Sequence, residues 1–244
     1  MELRPLIGKY WAAATLLLLA AALMLSTSCF ASSIAKPSPP AATATTNFSD
    51  HSVLLTFRSL ITKDPFGALS SWGNKSLHFC RWQGVACGKH GHRRGRVVGL
   101  DLGSLGLVGT ISPSISNLTY LRRLHMPMNQ FSGHIPHELG LLGDLKHLNL
   151  SDNALGGEIP VDLSRCSKLQ TISLWYNNLQ GTIPANLSRC SVLRTIELFA
   201  NYLEGEIPSE IGTLQNLELL NLFDNGLNGS IPPELGNLKK IILA

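Results

Sequence analysis

The sequence predicts an α/β repeat fold, in which short coils stack into a solenoid with a parallel sheet along one concave face. Three observations predict it. A 24-residue unit recurs six times without insertion from Val97, and a seventh copy begins at Ile241. Apolar residues return at the same places in every copy, as in stacked-repeat proteins. An amphipathic segment with two cysteines precedes the first copy, where an open apolar end needs a cap.

The 24 places within a copy are numbered here as repeat positions 1 to 24. At many of these positions the same residue type recurs from copy to copy. Positions 4 and 6 are apolar between polar neighbours, which is the alternation of a short strand. Position 13 is Gly throughout and position 16 is Pro in every copy but the first, so the chain turns after the strand. The apolar positions 1, 4, 6, 11, 15, 19 and 22 are, in the third copy, Leu145, Leu148, Leu150, Leu155, Ile159, Leu163 and Cys166.

Position 9 is asparagine in five copies. Because it follows the strand inside an apolar frame, we expect its amide to turn inward and to bond backbone groups of its own coil and of the next coil. Loss of such a buried partner costs about 1–3 kcal/mol. This predicted ladder consists of Asn129, Asn153, Asn177, Asn201 and Asn225.

Residues 1–31 are predicted to be a secretory signal peptide. The chain starts with a lightly basic segment. Residues 12–25 are then apolar with one exception, and small and polar residues follow them. An uncleaved anchor is the alternative, but this run is short for crossing a bilayer. Cys29 leaves with the peptide. After it the sequence has no apolar run long enough to span a membrane, so we expect secretion.

The part between the signal peptide and the repeats divides in two. Residues 32–48 are rich in Pro, Ala and Thr without apolar periodicity, which predicts a disordered leader. Residues 49–96 are predicted to form the N-terminal cap, and residues 97–244 the repeats. A helix can begin at Ser49–Asp50, and its apolar face continues to Ile61 before Asp64–Pro65 ends it.

The cysteines of the cap and those of the repeats have different predicted states. In a secreted chain, Cys80 and Cys87 are expected to form a disulfide. Zinc binding with His90 and His92 is the alternative, although the cysteines are too far apart and the histidines too close for common zinc frames.

Cys166 and Cys190 both occupy position 22, where other copies carry Leu. They are expected to be buried free thiols that act as small apolar residues. A bridge between them is the alternative, because they lie in adjacent coils.

The repeat LxxLxLxxNxLxGxIPxxLxxLxx resembles the plant-specific class of leucine-rich repeats. The preceding segment, with Asp64–Pro65, residues 67–72, and then Cys80, Trp82, Gly84, Val85 and Cys87, resembles the N-terminal cap of plant leucine-rich-repeat receptor kinases. The first coil is similar to the immune-receptor subfamily. The resemblance covers Asp50 to about Leu243.

This resemblance implies a right-handed superhelix with extra short strands from the G-x-IP segment. It also implies an extracellular, ligand-binding role in pathogen or developmental signal perception. The implied partners are a peptide or protein ligand and a co-receptor ectodomain.

Two kinds of function remain open. The first is the N-terminal ligand-binding part of a receptor kinase, and the second is a secreted inhibitor of the polygalacturonase-inhibitor type or a truncated secreted receptor. Complete receptors continue into more coils, a membrane helix and a kinase, none of which this sequence shows. The glycines of Gly103–Gly109 have the wrong spacing for a phosphate loop. We therefore expect no catalytic residue, no cofactor and no metal.

The net charge of +4 does not indicate a nucleic-acid partner. The signal region and the basic run Lys89–Arg96 more than account for it. A solvated loop is the default interpretation of that run, and contact with acidic wall polymers is the alternative.

The exposed strand positions 2, 3, 5, 7 and 8 define the predicted ligand site. Trp175, Phe199 and Phe223 share position 7 in successive coils and are expected to stack as a column. Exposed aromatics are common recognition anchors, although these could instead pack on one another structurally. Basic residues of coils two and three and acidic ones of coils five and six suggest a ligand with oppositely charged ends. The predicted ligand-binding residues are Arg122, His125, Lys146, His147, Trp175, Tyr176, Glu197, Phe199, Phe223 and Asp224; Arg123 belongs to the basic group and Glu218 to the acidic group.

Six sequons predict N-glycosylation sites. Most fall at positions expected in loops or on the convex side. Asn149 falls at strand position 5, where a glycan would obstruct the groove. The sites are Asn47, Asn74, Asn117, Asn149, Asn186 and Asn228.

Overall fold

The structure, a computed structural model, describes residues 49–243. The predicted signal peptide, the predicted leader, Cys29 and the sequon at Asn47 lie outside the described residues. Within residues 49–243, no helix has the length and apolar character that crossing a membrane requires.

Every coil contributes one short strand to an eight-stranded sheet, called here the concave sheet. Its strands are parallel except for the first pair, and neighbours pair in steps of one copy, so Leu124 lies beside Leu148 and Leu148 beside Ile172. This confirms the predicted solenoid. The strands are Val85–Cys87, Val97–Asp101, Arg123–His125, His147–Asn149, Thr171–Ser173, Thr195–Glu197, Leu219–Asn221 and Ile242–Leu243.

A second set of strands runs along the flank of the solenoid. These strands fall between positions 10 and 14, so they end before the Ile-Pro pair that follows. A five-stranded sheet, the flanking sheet, contains Ile61–Lys63, Val108–Thr110, Gln130–His134, Ala154–Glu158 and Asn178–Gln180; a separate pair contains Glu204–Gly205 and Gly226–Leu227.

Short 3-10 helices close each coil. In five copies the proline of position 16 immediately precedes the helix, with an extended backbone whose φ lies between −60° and −67°. Proline is suited to that place because its ring fixes φ near this value. The helices are Pro113–Asn117, His137–Leu141, Val161–Arg165, Ala185–Arg189, Ser209–Thr213 and Pro233–Asn237; the cap adds Phe79–Arg81 and Gly91–Arg93.

The core is continuous from the cap through the repeats. In the six complete copies, every side chain at positions 1, 4 and 19 is at most 3% exposed. The sixth copy differs, because Leu222 and Leu227 are half-buried and Ile231 is 67% exposed. Neighbouring coils therefore supply the burial that a single coil lacks.

The asparagine ladder turns inward as expected, but it bonds the preceding coil rather than the next one. Asn177 donates from Nδ2 to the carbonyls of Leu150 and Leu174 at 3.1 and 3.0 Å, and its Oδ1 accepts from the Leu155 amide at 3.0 Å. The direction has a physical reason. The backbone amide of Asn177 already donates to Ala200 of the next coil at 3.2 Å, so the side chain reaches backward.

The cap begins with one helix, Asp50–Ser59, whose N-cap Ser49 accepts a bond from the Ser52 amide. The expectation that the helix continues past Ile61 was wrong. The strand Ile61–Lys63 instead pairs antiparallel with Val108–Thr110 of the first coil. Strand pairing at the edge of the flanking sheet therefore outweighs the helical periodicity of this segment. The pairing requires glycine at position 109, because a Cβ on Gly109 would lie 2.3 Å from the Leu60 carbonyl oxygen.

Cys80 and Cys87 form a disulfide, as predicted, and this leaves no thiolate there for zinc. Cys166 and Cys190 are buried free thiols. Burial raises the pKa of the Cys166 thiol to about 12 and that of Cys190 to about 11. Both groups therefore remain neutral and unreactive in the folded chain.

Candidate functional site

Three aromatic rings form a cluster on the concave sheet. The rings of Trp175 and Phe199 stack with centroids 5.3 Å apart and planes 8° from parallel. Tyr176 meets both edge-on, at 5.6 and 5.8 Å. Phe223 was expected to continue the column, but it makes no ring contact with the cluster among the described residues and is 69% exposed.

The backbone after each strand explains how Tyr176 reaches this surface. Position 8 takes a left-handed conformation in all six copies, with φ of 50° at Tyr176. Its amide thereby donates to the Phe199 carbonyl of the next coil at 3.0 Å, while its side chain remains 58% exposed. Non-glycine residues with positive φ are uncommon. The repeat pattern alone gave no signal for it, because position 8 varies in residue type.

Basic side chains from coils two and three lie on neighbouring strands of the concave sheet. Arg123 pairs in register with His147, and the half-buried Arg122 and Lys146 immediately precede the two strands. Burial lowers the pKa of His147, and the nearby charges of Lys146 and Arg123 lower it further. His125 occupies the same strand as Arg123 and is half-buried.

One atom of this basic group has unused hydrogen-bonding capacity. The Nε of Arg122 is buried and has no hydrogen-bond partner among the described residues. A buried donor without an acceptor is unfavourable, and an anion that reached it would relieve that cost. The basic group therefore suits a negatively charged partner.

The acidic side of the predicted gradient is weaker than the sequence suggested. Glu218 forms an ion pair with Arg194 at 2.7 Å, which offsets its charge. Glu197 accepts a hydrogen bond from the Ser173 hydroxyl at 3.0 Å and remains half-buried. Asp224 is exposed. Glu197 and Asp224 therefore carry the negative charge at this end.

A groove of about 1090 Å³ lies beside the flanking sheet, away from the predicted site. Sequence reasoning missed it because only the strand positions of the concave sheet were considered as ligand-facing. One feature of the repeat could have indicated this groove. The side chains at position 14 form a row, and each lies over the position-13 glycine of the next coil. Its lining includes His134, Pro136, Glu158, Gln180, Tyr202 and Glu204.

Two family models match the chain. Leucine rich repeat N-terminal domain matches residues 48–88, and Leucine Rich Repeat matches residues 144–166, 168–190 and 216–238. The LRR receptor-like serine/threonine-protein kinase EFR of Arabidopsis thaliana is 44% identical over 97 residues, which are 39% of this chain and 9% of that protein. The chain thus spans a small part of this relative.

Solved structures share the fold over a greater length. A chain of the BIR3–SERK2 complex from Arabidopsis thaliana is 35% identical with a TM-score of 0.61, and the match covers 72% of this chain and 92% of that one. The chain belongs to the plant leucine-rich-repeat receptor kinase family. The plant peptide hormone receptor RGFR1, in complex with RGF2, is 38% identical with a TM-score of 0.58, over 59% of this chain and 23% of that one.

The sequons of this leucine-rich-repeat chain differ in exposure. Asn74, Asn186 and Asn228 are exposed, and Asn117 is half-buried. Asn149 is half-buried on the concave sheet, and its Oδ1 accepts bonds from the Ser151 amide and hydroxyl at 3.0 and 2.6 Å. A glycan attached to Nδ2 of Asn149 would project from the concave sheet.

Proposed function

We propose that this chain is part of the extracellular ectodomain of a plant receptor kinase and binds a peptide or protein ligand on its concave sheet. Its relatives are named as receptor kinases, and RGFR1 is named as a peptide hormone receptor. These names favour a receptor over a secreted inhibitor. The proposed organisation is a signal peptide at 1–31, a leader at 32–48, a cap at 49–96 and repeats at 97–244, with no enzymatic activity in these residues.

The aromatic cluster carries this proposal. Trp175, Tyr176 and Phe199 present ring surface to solvent as one cluster, on a sheet that also bears exposed charged side chains. Amphipathic rings of this kind dominate the energy of protein interfaces. A co-receptor ectodomain is proposed as a second partner, in view of the structural match to the BIR3–SERK2 complex.

The spacing of the charges sets the length of the ligand. Strands lie about 4.8 Å apart, so the distance from coil two to coil six is about 19 Å. An extended peptide rises about 3.3 Å per residue, so about six residues bridge that distance. We therefore expect a ligand segment with an acidic end near Arg122 of coil two, an apolar residue over Trp175, and a basic end near Asp224 of coil six.

Trp175 also provides the assay. Among the described residues, Trp72 and Trp82 are buried and Trp175 is half-exposed, so a ligand on the cluster should change chiefly the Trp175 fluorescence. The probe is a synthetic peptide with acidic and basic ends separated by about six residues around a central Phe. The control peptide has the same composition with its charges intermixed.

We expect the ordered peptide to shift the emission and the control to bind at least about tenfold more weakly. The double variant Trp175→Ala with Phe199→Ala should abolish binding measured by calorimetry. Tyr202→Ala, which removes an exposed ring on the flank, should leave it unchanged. Unchanged binding of peptides and of co-receptor ectodomains by the double variant would rule out this surface.

A further inference from the structure

Residues 88–96 form a tight hairpin between the first two strands of the concave sheet. The Gly88 amide donates to the Arg96 carbonyl at 2.9 Å, and the Gly95 amide donates to the Gly88 carbonyl at 3.0 Å. The 3-10 turn Gly91–Arg93 forms its tip. Backbone hydrogen bonds therefore shape this loop as a hairpin, and its residues 89–92 and Arg94 are exposed to solvent.

Two arginines hold the hairpin against the body of the protein. Arg93 donates to one Asp144 oxygen of the second coil from Nε and Nη2, at 3.2 and 2.9 Å. Arg96 donates to both oxygens of the buried Asp50 at 3.0 and 2.7 Å, and its guanidinium lies 4.7 Å from the Tyr120 ring centre. Because each arginine makes two hydrogen bonds to one carboxylate, these contacts fix both the position and the orientation of the hairpin.

The remaining cations of the hairpin are free to meet a partner. Lys89 and Arg94 are exposed, and neither forms an ion pair with any residue in the described range. His90 and His92 are exposed beside them. The stretch from Lys89 to Arg94 is six residues long and folds back on itself, so these charges lie within about one screening length of each other and act as one site.

Neighbouring charge adds to this site rather than cancelling it. Lys168 shares Asp144 with Arg93, at 2.5 Å from the carboxylate, so one carboxylate faces two cations. These cations hold the pKa of Asp144 below its ordinary value, the Lys168 contact most of all. One positive charge remains uncompensated there.

The surroundings indicate what kind of partner fits. Among the described residues, none of the exposed large apolar side chains belongs to the hairpin; one, Leu141, lies three residues before Asp144, in the segment that Arg93 contacts. A folded protein partner would need such an apolar anchor. We propose that the hairpin 88–96 binds an acidic polysaccharide of the polyuronate type, in which every sugar carries a carboxylate. The inference rests on the extracellular location in the proposed function.

The test uses the full secreted chain and de-esterified oligogalacturonate as the probe, with affinity measured by calorimetry. Lys89→Ser with Arg94→Ser should weaken binding by about tenfold or more. Lys63→Ser with Arg189→Ser is the matched control, since it removes one exposed lysine and one exposed arginine elsewhere. The control should bind like the unaltered chain, and thermal melting should show that both variants fold.

Three further arms make the assignment specific. Methyl-esterified polymer, which keeps the sugars and lacks the charge, should not bind, and binding should weaken several-fold from about 0.05 to about 0.15 M salt. Poly-glutamate should bind more weakly than polyuronate; equal or tighter binding would overturn the polysaccharide assignment. Equal affinity of the hairpin variant and the control would overturn the site. The Trp175 fluorescence assay with peptides is independent of each of these results.

Discussion

The asparagine ladder is the most stringent test of how the coils hold one another. In the central coil, Asn177→Ala removes the acceptor of the Leu155 amide and the donor to the Leu150 and Leu174 carbonyls. Asn177 is 6% exposed, so water reaches these groups poorly. The substitution therefore leaves buried backbone groups unpaired on two successive coils.

The magnitude follows from these bonds. A buried amide without an acceptor costs about 1–3 kcal/mol, and the loss of one hydrogen bond to a carbonyl has a net cost of about 0.5–1.5 kcal/mol. Because the carbonyls keep a second lone pair, we expect a total loss of about 2–4 kcal/mol in the free energy of unfolding. Asn225→Ala should cost less, because Asn225 is only half-buried.

The neighbouring Asn178 supplies the control. It is exposed, and its side chain makes no hydrogen bond among the described residues, so Asn178→Ala should change stability by less than about 0.5 kcal/mol. Urea unfolding gives the free energies, and amide exchange at Leu155 gives the local effect. If Asn177→Ala costs less than about 1 kcal/mol more than Asn178→Ala, the ladder does not connect the coils as argued.

Three other predictions concern the cap, the thiols and the basic group. Gly109→Ala should destabilise the chain by about 2 kcal/mol or more, since its Cβ would meet backbone of the cap, whereas Gly143→Ala, with open space around it, should be near neutral in thermal unfolding. Equal effects would contradict the docked strand. Without reductant, iodoacetamide should label Cys166 and Cys190 only in denaturant; labelling of the native chain would show that they are accessible. The lowered pKa of His147 means that the unfolded state binds protons more readily. Stability should therefore fall as pH drops from about 6.5 through the lowered native pKa. His147→Gln should flatten this fall in urea unfolding across that range, and identical pH profiles would show that another group is responsible.

The sequence was sufficient for the features that repeat. The period located the strands of the concave sheet that lie within the repeats, but not Val85–Cys87 of the cap, and the glycine and proline positions located the turns after the repeat strands. It failed where a residue's environment comes from elsewhere in the chain. Ile61 continues a helical pattern, yet it joins a sheet edge that the first coil provides. Phe223 shares position 7 with Phe199 but lies outside the cluster of stacked rings.

The order of apolar residues alone determines that this chain winds into stacked coils, because no single coil can bury its own side chains. Partner choice among polar groups was decided only by the tertiary structure. The Glu218–Arg194 pair and the backward reach of Asn177 each join residues of different coils, and the Arg93–Asp144 contact joins the cap to the second coil. Hydrogen bonds and ion pairs are directional and short-ranged, so a polar residue's partner depends on geometry that residue type does not encode.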